Sequence, residues 1–335
     1  MKLKTIIQTL NNIAPPQYAC GWDKQIGLQI GDKRADIRAV MIALDASSVA
    51  IDRAVKQKAD LLIAHHALFF QELSRIDLSL PLGRNIAKLL KNSIALFVAH
   101  TNLDAAPHGV NWTLARRCGL EPERCEVLEP TYREQFYKYV VFVPREAIEA
   151  VHAAIVSAGG GHIGNYSDCT FRLDGTGTFR PLAGTKPYSG RQNVLEKTAE
   201  VRIETIISAE KVGGLLNAVR AKHPYEEIAY DLYPLKNSGR TYGIGLIGRP
   251  LKNSKYAAYK KIAVCSGSGS SLVRKAFDKG AELFVTGEAG YHSRLLAEEL
   301  GLELKICGHR ETEEIIVPVL KKKLQAEFPE LKIIS

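Results

Sequence analysis

No two cysteines of the 335-residue chain are spaced as a Cys-x-x-Cys pair. The six that occur (Cys20, Cys118, Cys125, Cys169, Cys265 and Cys307) are scattered, which argues against both a zinc ribbon and a disulfide framework. No apolar run approaches the length needed to cross a bilayer, and the opening MKLKTIIQTLNNIAPP lacks the apolar core of a signal peptide. A cytoplasmic protein without a membrane segment is therefore expected. Basic clusters are missing too. The net charge of +9 suits an anionic substrate, yet the lysines and arginines are spread along the chain. That distribution reads as solvated surface and speaks against a nucleic-acid partner. No turn completes a P-loop or a G-x-G-x-x-G signature. The nearest, Cys265-Ser266-Gly267-Ser268-Gly269-Ser270-Ser271, follows a strand and opens a helix. It is either a cradle of backbone N–H groups for an anion or a tight packing turn.

What is present is ordinary in bulk and specific in pattern. Hydrophobic residues make up 46% and charged residues 24%, as in soluble globular proteins, and the length predicts two domains. Leu3 to Ile13 has the spacing of an amphipathic helix stopped by Pro15-Pro16. Trp22 to Gly31 reads as an extended segment bracketed by glycines. Ile37 to Leu44 is a strand ending at Asp45, Val49 to Lys58 a helix, and Leu61 to Ala64 a strand buried on both faces. Gly83 to Lys91 reads as a helix, Ser93 to Ala99 as a strand and Val110 to Cys118 as a helix. From Tyr137 the grammar changes to β-α-β-β-α-β: strands at Tyr137–Pro144, Cys169–Leu173, Ala199–Ile207 and Ala229–Tyr233, with helices at Glu146–Ala158 and Glu210–Lys222. That order is ferredoxin-like, with 175–181 as a loop. After Arg240 the α/β grammar returns, with strands at Lys261–Val264, Leu283–Val285, Leu304–Cys307 and Leu331–Ile334. The expected organisation is an α/β domain made of 1–130 and 239–335, carrying an inserted α+β domain at 131–238.

The chemistry sits at strand ends. His65 and His66 follow the buried run Leu61–Ala64, and adjacent residues of a strand point to opposite faces, so both can reach one site only where the chain leaves the sheet. Carboxyl ends of parallel strands are where such sheets place ligands. By itself the pair also fits one packed and one solvated histidine. The next strand ends in His100-Thr101-Asn102-Leu103-Asp104, and a later one in Gly308-His309-Arg310-Glu311-Thr312-Glu313. His309 and Glu313, four apart at a helix entrance, share a face. Together His65, His66, Asp104, His309 and Glu313 supply three imidazoles and two carboxylates, more than one zinc ion needs and suited to a pair of divalent metals. His100 is a further ligand or a partner that orients one, and His292, four residues after Glu288, could face the same pocket. Surface positions are expected for His152, His162 and His223.

Asp60–His66 with Leu68-Phe69-Phe70, His100–Asp104 with Ala105-Ala106-Pro107, Thr286-Gly287-Glu288 and Gly308–Glu313 together resemble the NIF-three-like family, the GTP cyclohydrolase I type 2 homologues. The likeness covers the whole chain, with Trp22–Gly31 similar to the family's glycine-rich block. Gly177-Thr178-Phe179-Arg180-Pro181 and His223-Pro224-Tyr225-Glu226-Glu227 look like the PII/CutA-like insertion of the longer bacterial members. The resemblance implies a three-layer α/β domain and a toroidal homohexamer. It also implies a two-metal site on His65, His66, Asp104, His309 and Glu313, with zinc, iron or manganese as typical ions, and metal-activated water attacking the purine ring of GTP. Glu288 is the candidate general base or orienting partner. Ala67 replaces the family's usual proline after the histidine pair, and Lys24 stands where asparagine is common; neither removes a ligand. The alternative is a metal-binding, metal-delivery or small-molecule-sensing protein without turnover.

Overall fold

In the computed structural model, residues 1–237 and 239–335 are described. The chain divides into two compact units, Met1–Tyr132 with Thr241–Ser335, and Arg133–Arg240. The expected boundary at Ser238 falls on the one residue outside the described ones. In chain order the strands are β1 (Gly27–Ile30), β2 (Ala39–Asp45), β3 (Leu61–His66), β4 (Ala95–Val98), β5 (Glu126–Arg133), β6 (Phe136–Pro144) and β7 (Thr170–Phe179). They continue with β8 (Glu196–Ser208), β9 (Tyr230–Pro234), β10 (Thr241–Gly248), β11 (Ile262–Ser268), β12 (Leu283–Glu288), β13 (Glu303–Ile306) and β14 (Lys332–Ile334).

The larger unit holds two five-stranded sheets, β1-β4-β3-β2-β14 and β13-β12-β11-β10-β5. In the first, β14, β2, β3 and β4 run parallel and β1 closes one edge antiparallel. Side-chain alternation deals β3 and β4 to two cores. Leu61, Ile63 and Phe97 join Leu3, Leu10 and Leu320 on one face, while Leu62 and Leu96 meet Ile51 and Leu89 on the other. Helix Leu3–Ile13 buries Leu3, Ile6 and Leu10, the stripe its sequence spacing predicts. In the second sheet β11, β12 and β13 are parallel. The same alternation sends Val264 and Val285 to one core, and Ala263 and Phe284 to the other. The result is a mixed α/β fold with helices on both faces of each sheet, and the carboxyl ends of β2, β3, β11 and β12 carry the polar residues. No helix of the described residues is long and apolar enough to cross a membrane.

Strands β5 and β10 have no counterpart in the sequence reading. Thr241–Gly248 holds three glycines, which weaken any strand pattern. Their cause is steric: a Cβ on Gly243 would lie 1.9 Å from the Glu129 carbonyl oxygen.

The unit Arg133–Arg240 carries one antiparallel sheet of order β7-β8-β6-β9, with helices Ile148–Ser157 and Val212–Arg220 in the β-α-β-β-α-β sequence. Its core is its own, built from Tyr139, Val141, Val151, Ile203, Leu215 and their neighbours. Two expectations need correction. Residues 175–179 are not loop but strand, paired with β8 from Gly175↔Glu200 to Phe179↔Glu196. His223 is not a surface residue but is buried. Its Nδ1 accepts the Tyr225 N–H at 3.1 Å and its Nε2 donates to the Phe142 carbonyl at 2.9 Å, which fixes a neutral ring. Burial holds its pKa below the ordinary value of 6.5, against the pull of the Phe142 bond. A folded pKa below the unfolded one gives stability that is present above about 6.5 and lost as pH falls toward the folded value. His223→Ala strands one donor and one acceptor and is expected to cost about 1–3 kcal/mol. Urea titration at neutral pH, following this unit, checks it; an unchanged midpoint would refute the structural role.

Candidate metal centre

Three histidines of the larger unit are oriented alike, each with Nδ1 occupied by an oxygen. His65 Nδ1 donates to the Ala99 carbonyl at 2.8 Å, His66 Nδ1 to Asp45 Oδ1 at 2.7 Å, and His100 Nδ1 to Asp23 Oδ2 at 2.9 Å. An imidazole held this way turns Nε2, with its lone pair, to the opposite side. The ligand atoms of His65, His66 and His100 lie within 4.8 Å of one another, and so do those of His66, His309 and Glu313. Ring centroids of His65 and His66 are 5.0 Å apart, and those of His66 and His309 5.5 Å.

Glu313 is the hub. Its Oε2 is 3.1 Å from Nε2 of both His66 and His309, and its Oε1 is 3.8 Å from His65 Nε2. Asp104 Oδ1 stands 3.8 Å from the same His65 nitrogen. Despite this proximity, His65 Nε2 and Glu313 Oε2 are buried and make no hydrogen bond. Buried polar atoms are nearly always paired, so convergent donors that aim past one another mark a place for a third atom. The five residues named at strand ends are thus brought together. His100 joins them, and Glu288 touches them only through His309, its Oε1 being 3.2 Å from His309 Nδ1. The Glu288 side chain is 53% exposed and does not line the cavity. His292 is exposed and does not line it either.

Electrostatics tie the cluster together when it holds no ion. Burial pushes the His66 pKa down, but Glu313 and Asp45 outweigh this and lift it to about 9. Burial raises that of Glu313, yet the close approach and charge of His65 and His66 bring it to about 2. Asp104 is raised, chiefly by burial, against the pull of His65. Protons hold positions that a cation can take.

Two residues without an earlier assignment complete the arrangement. Asp23, buried, has one oxygen, Oδ2, that accepts from His100 Nδ1 and from the Thr101 backbone N–H and hydroxyl, at 2.9, 3.1 and 2.6 Å. Burial raises its pKa, but the His100 and Thr101 hydrogen bonds reverse that and bring it to about 2. Asp45, paired in register with His66 across β2 and β3, orients that ring. Asp45 was legible as another strand-end carboxylate; for Asp23 the only signal was its place in the glycine-bracketed block.

The turn 265–271 is a packing turn. Its amides at Ser266, Gly267 and Gly269 donate to Asn111 Oδ1, Thr312 Oγ1 and the Glu288 carbonyl, so they are not free to cradle an anion. Gly267 has φ +59°, and a Cβ there would sit 2.2 Å from Glu313 Oε1. The convergent imidazoles and carboxylates open into a cavity of about 610 Å³, rimmed by Trp22, Phe70, Thr131 and Ser268. Such a volume admits a ligand of nucleotide size.

Comparison with known proteins places the chain in a family. The family profile described as Duf34/NIF3 (NGG1p interacting factor 3) matches residues 1–335. A Bacillus subtilis protein named GTP cyclohydrolase 1 type 2 homolog is 40% identical over 343 residues, covering 95% of this chain and 91% of its own. One of the same name from Listeria monocytogenes is 33% identical, covering 95% and 91%. Among solved structures, a Bacillus cereus protein related to NIF3 superposes with a TM-score of 0.90 at 39% identity, over 100% of this chain and 96% of that one.

Proposed function

The chain belongs to the Duf34/NIF3 family, and from that premise we propose that it is a cytoplasmic, metal-dependent hydrolase binding two divalent ions, such as zinc, iron or manganese. The observation that carries the reading is that His65 Nε2 and Glu313 Oε2 are both buried without a hydrogen bond, amid imidazoles and carboxylates of the type such ions prefer. His65, His66, Asp104, His309 and Glu313 are the ligands, with Glu313 placed to serve both halves of the site. When bound, the ions supply Lewis acidity and a water acidified toward neutrality. The protein's own part is positional. Asp45 and the Ala99 carbonyl hold His66 and His65 by their Nδ1 atoms, leaving Nε2 to bind. Glu288 acts the same way on His309, so we assign it as a positioning residue rather than the base. The relatives' name suggests a nucleotide such as GTP as substrate, and the cavity has the volume for one. We further read the inserted unit as PII/CutA-like, from its strand order, and the assembly as a homohexamer, which light scattering tests by mass.

One observation favours the second reading, metal delivery or sensing without turnover. Glu129, another carboxylate lining the cavity, is tied to Lys275, so no free base faces the site from that wall. Purification without an affinity tag, elemental analysis, and a screen of GTP, phosphoesters and amides separates the two. Hydrolysis by metal-loaded protein supports the first; full metal loading with no turnover and ready exchange to a chelator supports the second. Metal-free protein that takes up no zinc, iron or manganese sinks both.

Asp23→Asn keeps shape but removes the charge that fixes His100 and Thr101. Metal affinity is expected to fall about 10–100-fold, the usual effect of losing an orienting partner. Chelator competition measures it, and an unchanged affinity would remove His100 from the centre.

A further inference from the structure

The metal centre leaves two sequence motifs unused. Gly177-Thr178-Phe179-Arg180-Pro181 and His223-Pro224-Tyr225-Glu226-Glu227 are distant in sequence, and both line one cavity of about 430 Å³ within the unit Arg133–Arg240. Its other walls include Pro187, Tyr188 and Glu200.

Glu200 is held on purpose. Tyr225 Oη donates to its Oε1 at 2.9 Å, and burial together with that bond raises the tyrosine pKa to about 12, so the phenol stays a donor. Gly177 makes the placement possible, since a Cβ there would lie 2.1 Å from Glu200 Oε2. A glycine inside a strand marks such a close approach. The unit's ion pairs join Lys138 and Arg202 to Glu204, Arg145 to Asp174 and Arg172 to Glu149. Among the described residues none neutralises Glu200, Glu226 or Glu227, the three carboxylates of the cavity. The single guanidinium in the wall, Arg180, donates to the Asn193 carbonyl at 2.6 Å. The rings of Tyr188 and Tyr225, 5.8 Å apart and tilted by 46°, stand beside these carboxylates. Aromatic faces with an uncompensated carboxylate attract cations and repel anions.

We propose that this cavity binds a small organic cation, an amine or guanidinium on a short apolar body, with Glu200 as counter-ion and Tyr188, Tyr225 and Phe179 as walls. The apolar prolines contact the body of the ligand, and the carboxylates select its charge. The site uses residues of one unit only, so it stands whether or not the metal centre turns over a substrate.

Isothermal titration of the full-length protein with agmatine, which carries an amine and a guanidinium on one aliphatic chain, tests this. Adipate and ATP serve as anionic controls and 1,4-butanediol as the neutral one. Agmatine is expected to bind with a Kd below ~1 mM. Glu200→Gln should weaken it at least tenfold, and Tyr225→Phe, which keeps the ring but releases the carboxylate, several-fold, each with an unchanged thermal melt. Absence of heat up to ~10 mM agmatine, equal binding by both variants, or tighter binding of adipate or ATP would overturn the proposal.

Discussion

Protein carrying His65→Ala together with Glu313→Ala is expected to come out of purification without metal. Glu313 stands within 3.1 Å of Nε2 of both His66 and His309 and within 3.8 Å of His65, so it reaches all three histidines of the proposed ligand set. Removing it with His65 leaves His66, His309 and Asp104 of the proposed ligands, without the carboxylate that stands 3.1 Å from both remaining histidines. Divalent zinc needs three or four protein ligands per ion, so two ions cannot be held by what remains. Loss of one orienting partner costs about 10–100-fold in affinity; loss of two ligands costs more. The double variant is preferable to Glu313→Ala alone, which leaves all three proposed histidine ligands in place, enough for one zinc ion. Elemental analysis after dialysis reads the outcome, and circular dichroism confirms the fold. Metal content equal to that of the unaltered protein would end the assignment of these ligands.

Much of the fold was legible because its strands obey simple rules. Leu61–Ala64 is apolar without interruption because helices cover both faces of the first sheet, and the same holds for Leu283–Val285 in the second. Helix Leu3–Ile13 appears with the ends its stripe and the following prolines predict. What escaped was strand built against those rules. Thr241–Gly248 carries glycine at 243, 245 and 248 because other chain segments pass close by: a Cβ on Gly248 would lie 2.6 Å from Cys125 Sγ. In β7 the glycines at 175 and 177 read as a loop although both pair with β8, and Gly177 leaves room for the Glu200 carboxylate. Single-sequence pattern sees glycine as a break, whereas only tertiary contact shows it as a clearance.

The site divides along a similar line. Ligand-type residues at strand ends stand out because they recur, after β3, after β4 and after β13, although the histidine pair alone also fits one packed and one solvated ring. The residues that aim them do not stand out. Asp23 reaches His100 across 77 positions, and the Ala99 carbonyl that fixes His65 is backbone, invisible in residue identity. Of the two roles expected of Glu288, base or orienting partner, its position suits the second: the end of β12 carries it to the outer nitrogen of His309 and not into the cavity.

Gly287→Ala should weaken the metal centre without altering any ligand. The helix His309–Glu313 presents two of the proposed ligands, and it packs where β11 and β12 end. A Cβ on Gly287 would lie 2.5 Å from the Gly267 carbonyl oxygen, 2.5 Å from Thr312 Oγ1 and 2.9 Å from His309 Cα. Two of these are backbone atoms, so no side-chain rotation relieves the clash and the helix must move. Overpacking of this kind costs about 1–3 kcal/mol. Binding constellations tolerate displacements of only about 0.5 Å, so metal affinity should drop at least about tenfold as well. Gly290→Ala is the matched control: its Cβ meets only Ser270 Oγ, at 3.8 Å, an ordinary contact. A stability change within about 0.5 kcal/mol is expected there, with metal retained. Chelator competition and thermal melts on both variants give the comparison. Equal affinities for the two would mean that the approach of this helix to β12 does not set the geometry of the centre.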